Sequence, residues 1–452
     1  MGRSAPSSGR LGMSFEASWV RLTLQQAGVS LIDCDHRTPP AATEGFPYVA
    51  IPQLKDGHVD LNGVRRISPV DYNEWTKKLK PRAHDVIVVR RCNSGDSAVI
   101  PTGLDCAIGQ NLVVLRSNGS AVEPAFLRWL VRGPDWWDQV AKFINVGAVF
   151  DSLRCRDIPN FELTIPPLAD QRAITALLNS LDDRIALLRE TNVTLEAIAQ
   201  ALFKSWFVNF DPVRAKQHGL APTGMDEATA ALFPDGFEES TLGSVPRGWR
   251  TGSILEVADL LSGGTPKTDR SEFWGGHIAW ASAKDVSQAA GSILVSTERT
   301  ITTAGLERSA TKLIPRLATV VVARGATTGR MVMFGREMAM NQTCYGLTSK
   351  LDTPVALYCL LRREVEALVN SAHGSVFDTI TTSTFARSIV IQPPTSILAR
   401  FEAIGRPLFE RIAESTARIQ TLATLRDTLL PRLISGQLRL PEAEAQISEA
   451  TT

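Results

Sequence analysis

The 452-residue chain contains itself twice. Gly147-Ala148-Val149-Phe150-Asp151 recurs as Gly374-Ser375-Val376-Phe377-Asp378. Pro166-Pro167 recurs as Pro393-Pro394 at the same offset, and the register continues through Leu181/Leu408, Arg184/Arg411, Ile185/Ile412, Leu195/Leu422 and Leu202/Leu429. Self-similarity held over so long a stretch means two related halves, which rules out any fold that lacks a repeated unit. The length agrees, since ~100 to 200 residues per domain predicts two or three domains.

Each half ends in the same kind of element. After Pro166-Pro167, apolar or pivotal residues fall at Ile174, Leu178, Leu181, Ile185, Leu188, Asn192, Leu195, Ala199 and Leu202, alternating steps of four and three. That is a heptad seam, with Ile185 in an a position and Leu181 and Leu188 in d positions. The offset carries the seam to Phe401, Gly405, Leu408, Ile412, Ser415, Ile419, Leu422, Arg426 and Leu429. Asn192 in an a position either fixes register as a buried amide or sits near solvent on a bundle helix. Arg426 must pair with an acid or reach solvent. The spacing predicts one helix from Leu168 to Phe207, roughly 60 Å long at ~1.5 Å per residue. A second is expected from Ser396 to Ile434, kinked or stopped near Pro431 by the lost N–H and the ring clash. Two such helices pack most simply as an antiparallel coiled coil, with a globular portion at each end and a pseudo-twofold between them.

Those portions read as α+β domains built on mainly antiparallel sheet. Asp85-Val86-Ile87-Val88-Val89-Arg90 resembles Thr319-Val320-Val321-Val322-Ala323-Arg324, each a β-rich run ending in Arg before a Gly-containing loop. Helical stretches at Ala125 to Arg132 and Pro354 to Val369 intervene. The organisation expected is an N-terminal extension (1–14), a first globular domain (15–165), a central long helix (166–207), a linker (208–246), a second globular domain (247–392), a C-terminal long helix (393–437) and a tail (438–452). The linker, rich in Pro, Gly and acid, is expected to be extended and partly ordered. The extension is Gly/Ser/Arg-rich without an apolar core, so it does not read as a secretory peptide, and Met13 stands beside Met1 as a candidate natural start.

Composition excludes several classes. Lys and Arg number 48 against 47 Asp and Glu, with 44% apolar residues, so this is neither a basic nucleic-acid coat nor an acidic solvating chain. The first domain carries 17 basic and 17 acidic residues; the second carries 16 and 12, a net of +4. Cys34, Cys92, Cys106, Cys155, Cys344 and Cys359 form no Cys-x-x-Cys pair, which argues against a zinc site or disulfide framework and for a reducing cytoplasm. No apolar run approaches the ~18 to 20 residues of a membrane span. The sequence has no Gly-x-Gly turn, no P-loop, no Asp/Glu-x-Lys nuclease tripeptide and no paired-His metal spacing. Asn209-Phe210-Asp211-Pro212 superficially resembles a methyltransferase loop, but Val213 and Arg214 replace the proline and the base-stacking aromatic it needs.

Basic residues gather instead beside small ones. In the first half Lys80 and Arg82 precede the strand that ends at Arg90-Arg91, followed by Asn93-Ser94-Gly95. In the second half Arg324, Thr327, Thr328 and Arg330 lie in a Gly-hinged loop, Lys267 follows Gly263-Gly264-Thr265-Pro266, and Lys284 lies shortly after Trp280. Guanidinium groups read guanine edges or hold phosphates, hydroxyls reach either, and glycines let the backbone approach a duplex. Ordinary solvated hairpin ends have the same composition, but recurrence in both halves favours double-stranded DNA as ligand. Trp274 and Trp280 read as core.

The repeat, Ile165-Pro166-Pro167-Leu168-Ala169-Asp170-Gln171-Arg172, the stretch Leu202-Phe203-Lys204-Ser205-Trp206-Phe207-Val208-Asn209-Phe210-Asp211-Pro212-Val213-Arg214-Ala215-Lys216 and the ending Leu429-Leu430-Pro431-Arg432-Leu433-Ile434-Ser435-Gly436-Gln437-Leu438 closely resemble the DNA-specificity subunit of type I restriction-modification enzymes. The resemblance implies two target-recognition domains, each reading half of a bipartite DNA target, with antiparallel helices as a ruler for the gap. It implies docking of two methyltransferase subunits and of motor-nuclease subunits, which hold the catalytic residues, S-adenosylmethionine, ATP and Mg, so that this chain is noncatalytic and carries no cofactor or metal. The second helix opens Pro393-Pro394-Thr395-Ser396 and lacks the Leu-Ala-Asp-Gln of the first, so docking at the two ends need not be equivalent. The competing readings are a coiled-coil scaffold with protein-binding domains and a diverged stand-alone DNA-modifying enzyme.

Overall fold

The computed structural model describes residues 19–147, 150–371 and 379–451. Both Met1 and Met13, and the second copy of the pentapeptide at 374–378, lie outside them. The chain forms two compact units, unit 1 (Met1–Arg184 with Thr421–Thr452) and unit 2 (Ile185–Gln420). Both long helices contribute to both units.

Unit 1 is built on a six-stranded sheet in the order Val29–Asp33, Leu112–Ser117, Val86–Val89, Ser97–Val99, His58–Val59, Leu54–Lys55. The β-branched runs at its centre are buried on both faces: Val86 to Val89 and Leu112 to Leu115 are all core residues, the pattern expected when a sheet is covered on each side. A smaller sheet centres on Phe46–Val49, paired antiparallel with Arg65–Ile67 and parallel with Ala107–Ile108. Strand Val20–Thr23 pairs with Glu162–Ile165, which leads into the first long helix.

Unit 2 repeats this plan. Its central sheet runs Ala258–Ser262, Cys344–Ser349, Thr319–Val322, Met331–Phe334, Ile293–Leu294, and its second sheet centres on Trp274–Ala281 with an antiparallel neighbour, Arg299–Ile301, and a parallel one, Met338–Met340. The correspondence extends to register. Tyr48 pairs with Ala107 in one unit and Trp280 with Ala339 in the other, so both partners are displaced along the chain by the same amount. The sequence-expected α+β domains of mainly antiparallel sheet are thus present twice.

The first long helix spans Leu168–Phe207, the bounds its seam predicted; the second spans Thr395–Ile434. Pro431 does not stop it: Leu429, Leu430, Leu433 and Ile434 are buried, so packing of the last turn outweighs the ~3 kcal/mol a helical proline costs. Within unit 1 the helices meet at Asp182 and Arg426, and within unit 2 at Asn192 with Thr416 and at Phe203 with Phe401, so rising numbers on one meet falling numbers on the other and the pair is antiparallel. Leu178, Leu181, Ile185, Ile412 and Leu422 are buried, and Leu188, Asn192, Leu195, Leu408 and Ile419 are half-buried, as a heptad seam requires. Each fully buried seam leucine or isoleucine contributes about 1.5–3 kcal/mol.

Two segments differ from expectation. The expected linker is folded onto unit 2: helices Asp211–Gln217 and Glu227–Ala231 precede a hairpin of Phe237–Ser240 with Gly243–Pro246. Phe210, Val213, Phe233 and Val245 are buried there, with Trp206 meeting Phe233 at 5.3 Å between rings. Aromatic anchoring without periodicity supplied the order. The expected tail forms a helix, Leu440–Thr451, with Ala443 fully buried.

Candidate nucleic-acid interface

In unit 2, three loops converge at one end of the central sheet. The hairpin between Thr319–Val322 and Met331–Phe334 is closed by Val322 N–H donating to Arg330 O (2.8 Å) and Gly329 N–H to Val322 O (2.9 Å), with Gly325 and Gly329 in the left-handed region. Strand Cys344–Ser349 pairs Cys344 with Val322. Continuing that register by two residues sets Gln342 opposite Arg324. The same strand pairs Tyr345 with Ser262 on its other side, and continued register brings Gln342 to Thr265. The Thr265 hydroxyl donates to the Gln342 carboxamide oxygen.

The Gly263-Gly264 turn is held close. Gly264 N–H donates to Met340 O and Trp280 Nε1–H donates to Gly264 O, both at 2.9 Å. A Cβ on Gly263 would lie 2.0 Å from Asn341 O, and one on Gly264 2.4 Å from Thr311 N, so both positions demand glycine. Lys267 follows, exposed, its carbonyl accepting from Trp274 Nε1–H (3.1 Å). Arg299 lies over the Trp274 ring with its guanidinium carbon 3.5 Å from the centroid.

Unit 1 carries the same arrangement with different side chains. Gly95 N–H donates to Val89 O (2.9 Å) and Val89 N–H to Asp96 O (2.8 Å), closing the Arg90–Asp96 loop. Leu112 pairs with Val89, so continued register sets Gln110 opposite Arg91. Gln110 Nε2 donates to Thr38 Oγ1 at 2.7 Å. Thr265-Pro266 repeats Thr38-Pro39 at the offset of the two helical seams, and Gln342 repeats Gln110 at the offset of the Tyr48/Trp280 strand pairings. Arg37 O accepts from Tyr48 O–H (3.3 Å) and Trp75 Nε1–H (3.0 Å), as Gly264 O accepts from Trp280. Arg65 donates to Pro39 O at 2.8 Å.

The sequence-predicted residues divide accordingly. Arg91, Arg324, Arg330, Lys267 and half-buried Thr327 lie on these loops, and Thr328 closes its loop by donating to Gly325 O (2.7 Å). Arg90 is half-buried at the strand end. Lys80 and Arg82 are exposed but precede Val86–Val89, at the far end of that strand from Arg91. Lys284 is paired with Glu298 at 2.7 Å, which raises the lysine pKa through that hydrogen bond. Ser94 does not fit a contact role: it is buried, its hydroxyl donating inward to Arg90 O (2.9 Å) and Asp151 O (3.3 Å). Of the two tryptophans read as core, Trp280 is buried and Trp274 half-buried. The sequence marked the turn that holds Thr265 but missed Arg37, Thr38, Arg65, Gln110, Arg299 and Gln342, although the repeated Thr-Pro was visible.

Charge at these faces is local. The Asp35 carboxylate hydrogen-bonds Arg37 (2.7 Å), which holds the acid below its usual range. Among the described residues, one group with metal-ligating atoms, Asp33, Cys34 and His36, lies beside the Thr38 turn. Burial pushes the Cys34 thiol up to about 11. No helix of the described residues is long and apolar enough to cross a membrane.

One chain therefore presents two equivalent faces, each with a glycine- or proline-shaped turn, exposed guanidinium or ammonium groups and a steadied carboxamide, the equipment of a DNA-binding protein that reads two sites. The chain belongs to the type I restriction-modification DNA specificity family, whose specificity domain matches residues 37–197 and 246–415, one copy per repeat. It is 26% identical over 376 residues to the type I restriction enzyme HindI specificity subunit of Haemophilus influenzae, covering 73% of this chain and 81% of that one. To the MjaIX specificity subunit of Methanocaldococcus jannaschii it is 25% identical over 385 residues, covering 84% and 83%. The crystal structure of a type I S subunit from M. genitalium shares the fold, with a TM-score of 0.55 at 14% identity over 94% of this chain and 97% of that one.

Proposed function

We propose that each unit reads one half of a bipartite duplex target through the loop end of its central sheet, and that the two long helices set the gap between the halves. The observation that carries this reading is the recurrence of one constellation, Arg91/Gln110/Thr38 in unit 1 and Arg324/Gln342/Thr265 in unit 2, on strands of matching register. Modest net charge fits a subunit whose phosphate neutralisation is shared with basic partners. Two methyltransferase subunits dock on the helices and modify adenine, and motor-nuclease subunits complete restriction. Catalytic residues, S-adenosylmethionine, ATP and Mg belong to those partners, and the complex works in the cytoplasm.

The test is single-molecule methylome sequencing of a host expressing this chain with its methyltransferase partner, beside a host lacking only this chain. The expected result is a new bipartite adenine-methylation motif. Exchanging residues 247–392 for another such domain then alters one half-site only. A stable complex that adds no motif overturns the reading and favours a scaffold.

A further inference from the structure

We infer that Gln110 and Gln342 are specificity-determining residues, each carboxamide reading the edge of an adenine in the half-site its unit addresses. The inference rests on the DNA-reading role proposed above and names the groups that perform it. Three observations lead there.

The first is placement. Both glutamines are exposed, both follow a parallel-paired strand, and register sets each across from an exposed arginine, Arg91 or Arg324, on the neighbouring hairpin. A cation positions a phosphate backbone while an amide beside it reads a base. The second is restraint. A free glutamine loses considerable rotamer entropy on binding, but here one amide atom is already engaged by the Thr38 or Thr265 hydroxyl. The carboxamide offers a donor and an acceptor in fixed geometry, the pattern that pairs bidentately with adenine N6 and N7.

The third observation is that the turns do not need the glutamines. In unit 2 the turn is already tied by Gly264 N–H to Met340 O and by Trp280 Nε1–H to Gly264 O. In unit 1 Tyr48, Trp75 and Arg65 tie the Arg37 to Pro39 backbone. A hydrogen bond between two exposed side chains adds little to stability. The loops around them differ between units in length and residue type, yet the Thr-Pro and the glutamine are kept in both, as expected of a group that reads a base common to both half-sites.

Gln342→Glu separates reading from latching. A glutamate still accepts from the Thr265 hydroxyl, so a latch survives, but it presents two acceptors and pairs with a cytosine N4 amino group rather than with adenine. The assembled complex is tested by methylome sequencing and by methylation rates on duplexes varied one base pair at a time. The expected result is a change of preference of about 5- to 150-fold at one position of one half-site, the other half-site unchanged. Thr265→Val should blur the same position more weakly. Unaltered preference at every position in both Gln342→Glu and Gln342→Ala overturns the inference. So does a loss that is uniform across sequences and shrinks with salt, the signature of a phosphate contact. If Gln342→Glu fails to assemble, Gln110→Glu puts the same question to unit 1. A wild-type complex without any sequence preference overturns the DNA-reading role itself, which distinguishes the two failures.

Discussion

Where the first long helix runs through unit 1, Asp182 is buried against three basic groups; at the repeat-related position in unit 2 stands Phe409. Asp182 accepts from Arg426 (2.6 Å), from Arg128 (2.5 Å) and from His58 Nε2 (3.1 Å), so one carboxylate joins both long helices to two elements of the recognition domain. Arg426 was expected from sequence to pair with an acid or reach solvent; it takes the first course, and it also bonds Asp427 at 2.8 Å. Its counterpart in unit 2 is Ala199, fully buried, and Phe409 meets Tyr358 edge-on at 5.4 Å. Phe203, Trp206, Phe207 and Phe401 extend that cluster, where unit 1 has Leu430, Leu433, Ile434 and Ile174. The same helix–domain junction is thus ionic in one unit and aromatic in the other. Apolar burial supplies more stability per residue, whereas a fully partnered buried charge tolerates fewer alternative geometries. The rigid element of unit 1 is therefore defined by directed bonds, and that of unit 2 by shape.

The largest effect expected from this contrast follows Asp182→Ala. Removing the shared acceptor leaves Arg128 buried without a countercharge and Arg426 with Asp427 alone, which costs about 3–5 kcal/mol. Hydrogen exchange should show the loss of protection concentrated in residues 168–184 and 421–434. Equal loss across unit 2 breaks the comparison, because it makes the two junctions one cooperative element.

Acid provides a second, smaller test, because the two junctions respond with opposite sign. Burial pushes the Asp182 carboxyl up, but the His58 hydrogen bond and the Arg128 and Arg426 charges prevail and hold it well below the usual carboxylate range. Unfolded aspartate titrates near 3.9. The unfolded chain therefore takes up protons first, and the stability Asp182 contributes is full above about pH 5 and lost as pH falls toward its folded value. In unit 2, Glu402 accepts from Val355 N–H (3.1 Å) and Ala356 N–H (3.2 Å) at the start of helix Pro354–Ser371, yet burial raises its carboxyl above the ordinary value. A raised carboxyl favours the folded state below the unfolded pKa and loses that contribution as pH rises through the folded one. Between about pH 5 and pH 3, unit 1 should lose hydrogen-exchange protection before unit 2, and Asp182→Asn should flatten the difference. Loss in the reverse order contradicts the assignment of these two carboxyls.

What the sequence made legible follows from periodicity. The bounds Leu168–Phe207 and the burial of Leu178, Leu181 and Ile412 came from a heptad pattern that a long helix cannot avoid displaying. Strand cores such as Val86–Val89 were readable for the same reason: buried β-branched runs are long enough to count. The candidate interface was less legible because its members are single residues brought together by register. Thr265 sits in a turn its glycines mark, but Gln342 is far from it in the chain and nothing local marks that glutamine. Ser94 misled because a hydroxyl between an arginine and a glycine has the composition of a contact loop, while its actual role is to bond Arg90 O and Asp151 O. Residues 208–246 misled in the opposite direction, since Phe210, Phe233 and Val245 anchor irregular structure that leaves no periodic trace.

The polar residue in the seam of unit 2 sharpens the comparison from its weak end. Asn192 Nδ2 donates to Thr416 Oγ1 at 3.2 Å, and that hydroxyl in turn donates to Ile412 O at 2.7 Å, so the threonine has no proton to offer back. Asn192 Oδ1 is consequently buried without a hydrogen-bond partner, unlike Asp182, whose oxygens are all engaged. An orphaned carbonyl oxygen destabilises the state that buries it. Asn192→Leu should therefore raise stability by about 1 kcal/mol in denaturant titration, where Asp182→Ala lowers it severalfold more. It should also remove the one seam amide that opposes a shifted pairing of the two helices, as a-position asparagines do in other coiled coils. The methylome of this variant is then expected to show a mixture of gap lengths beside the original motif. A more stable chain with a single unchanged gap assigns register in unit 2 to the aromatic cluster alone, and places directed polar specification of the helix pair entirely in unit 1.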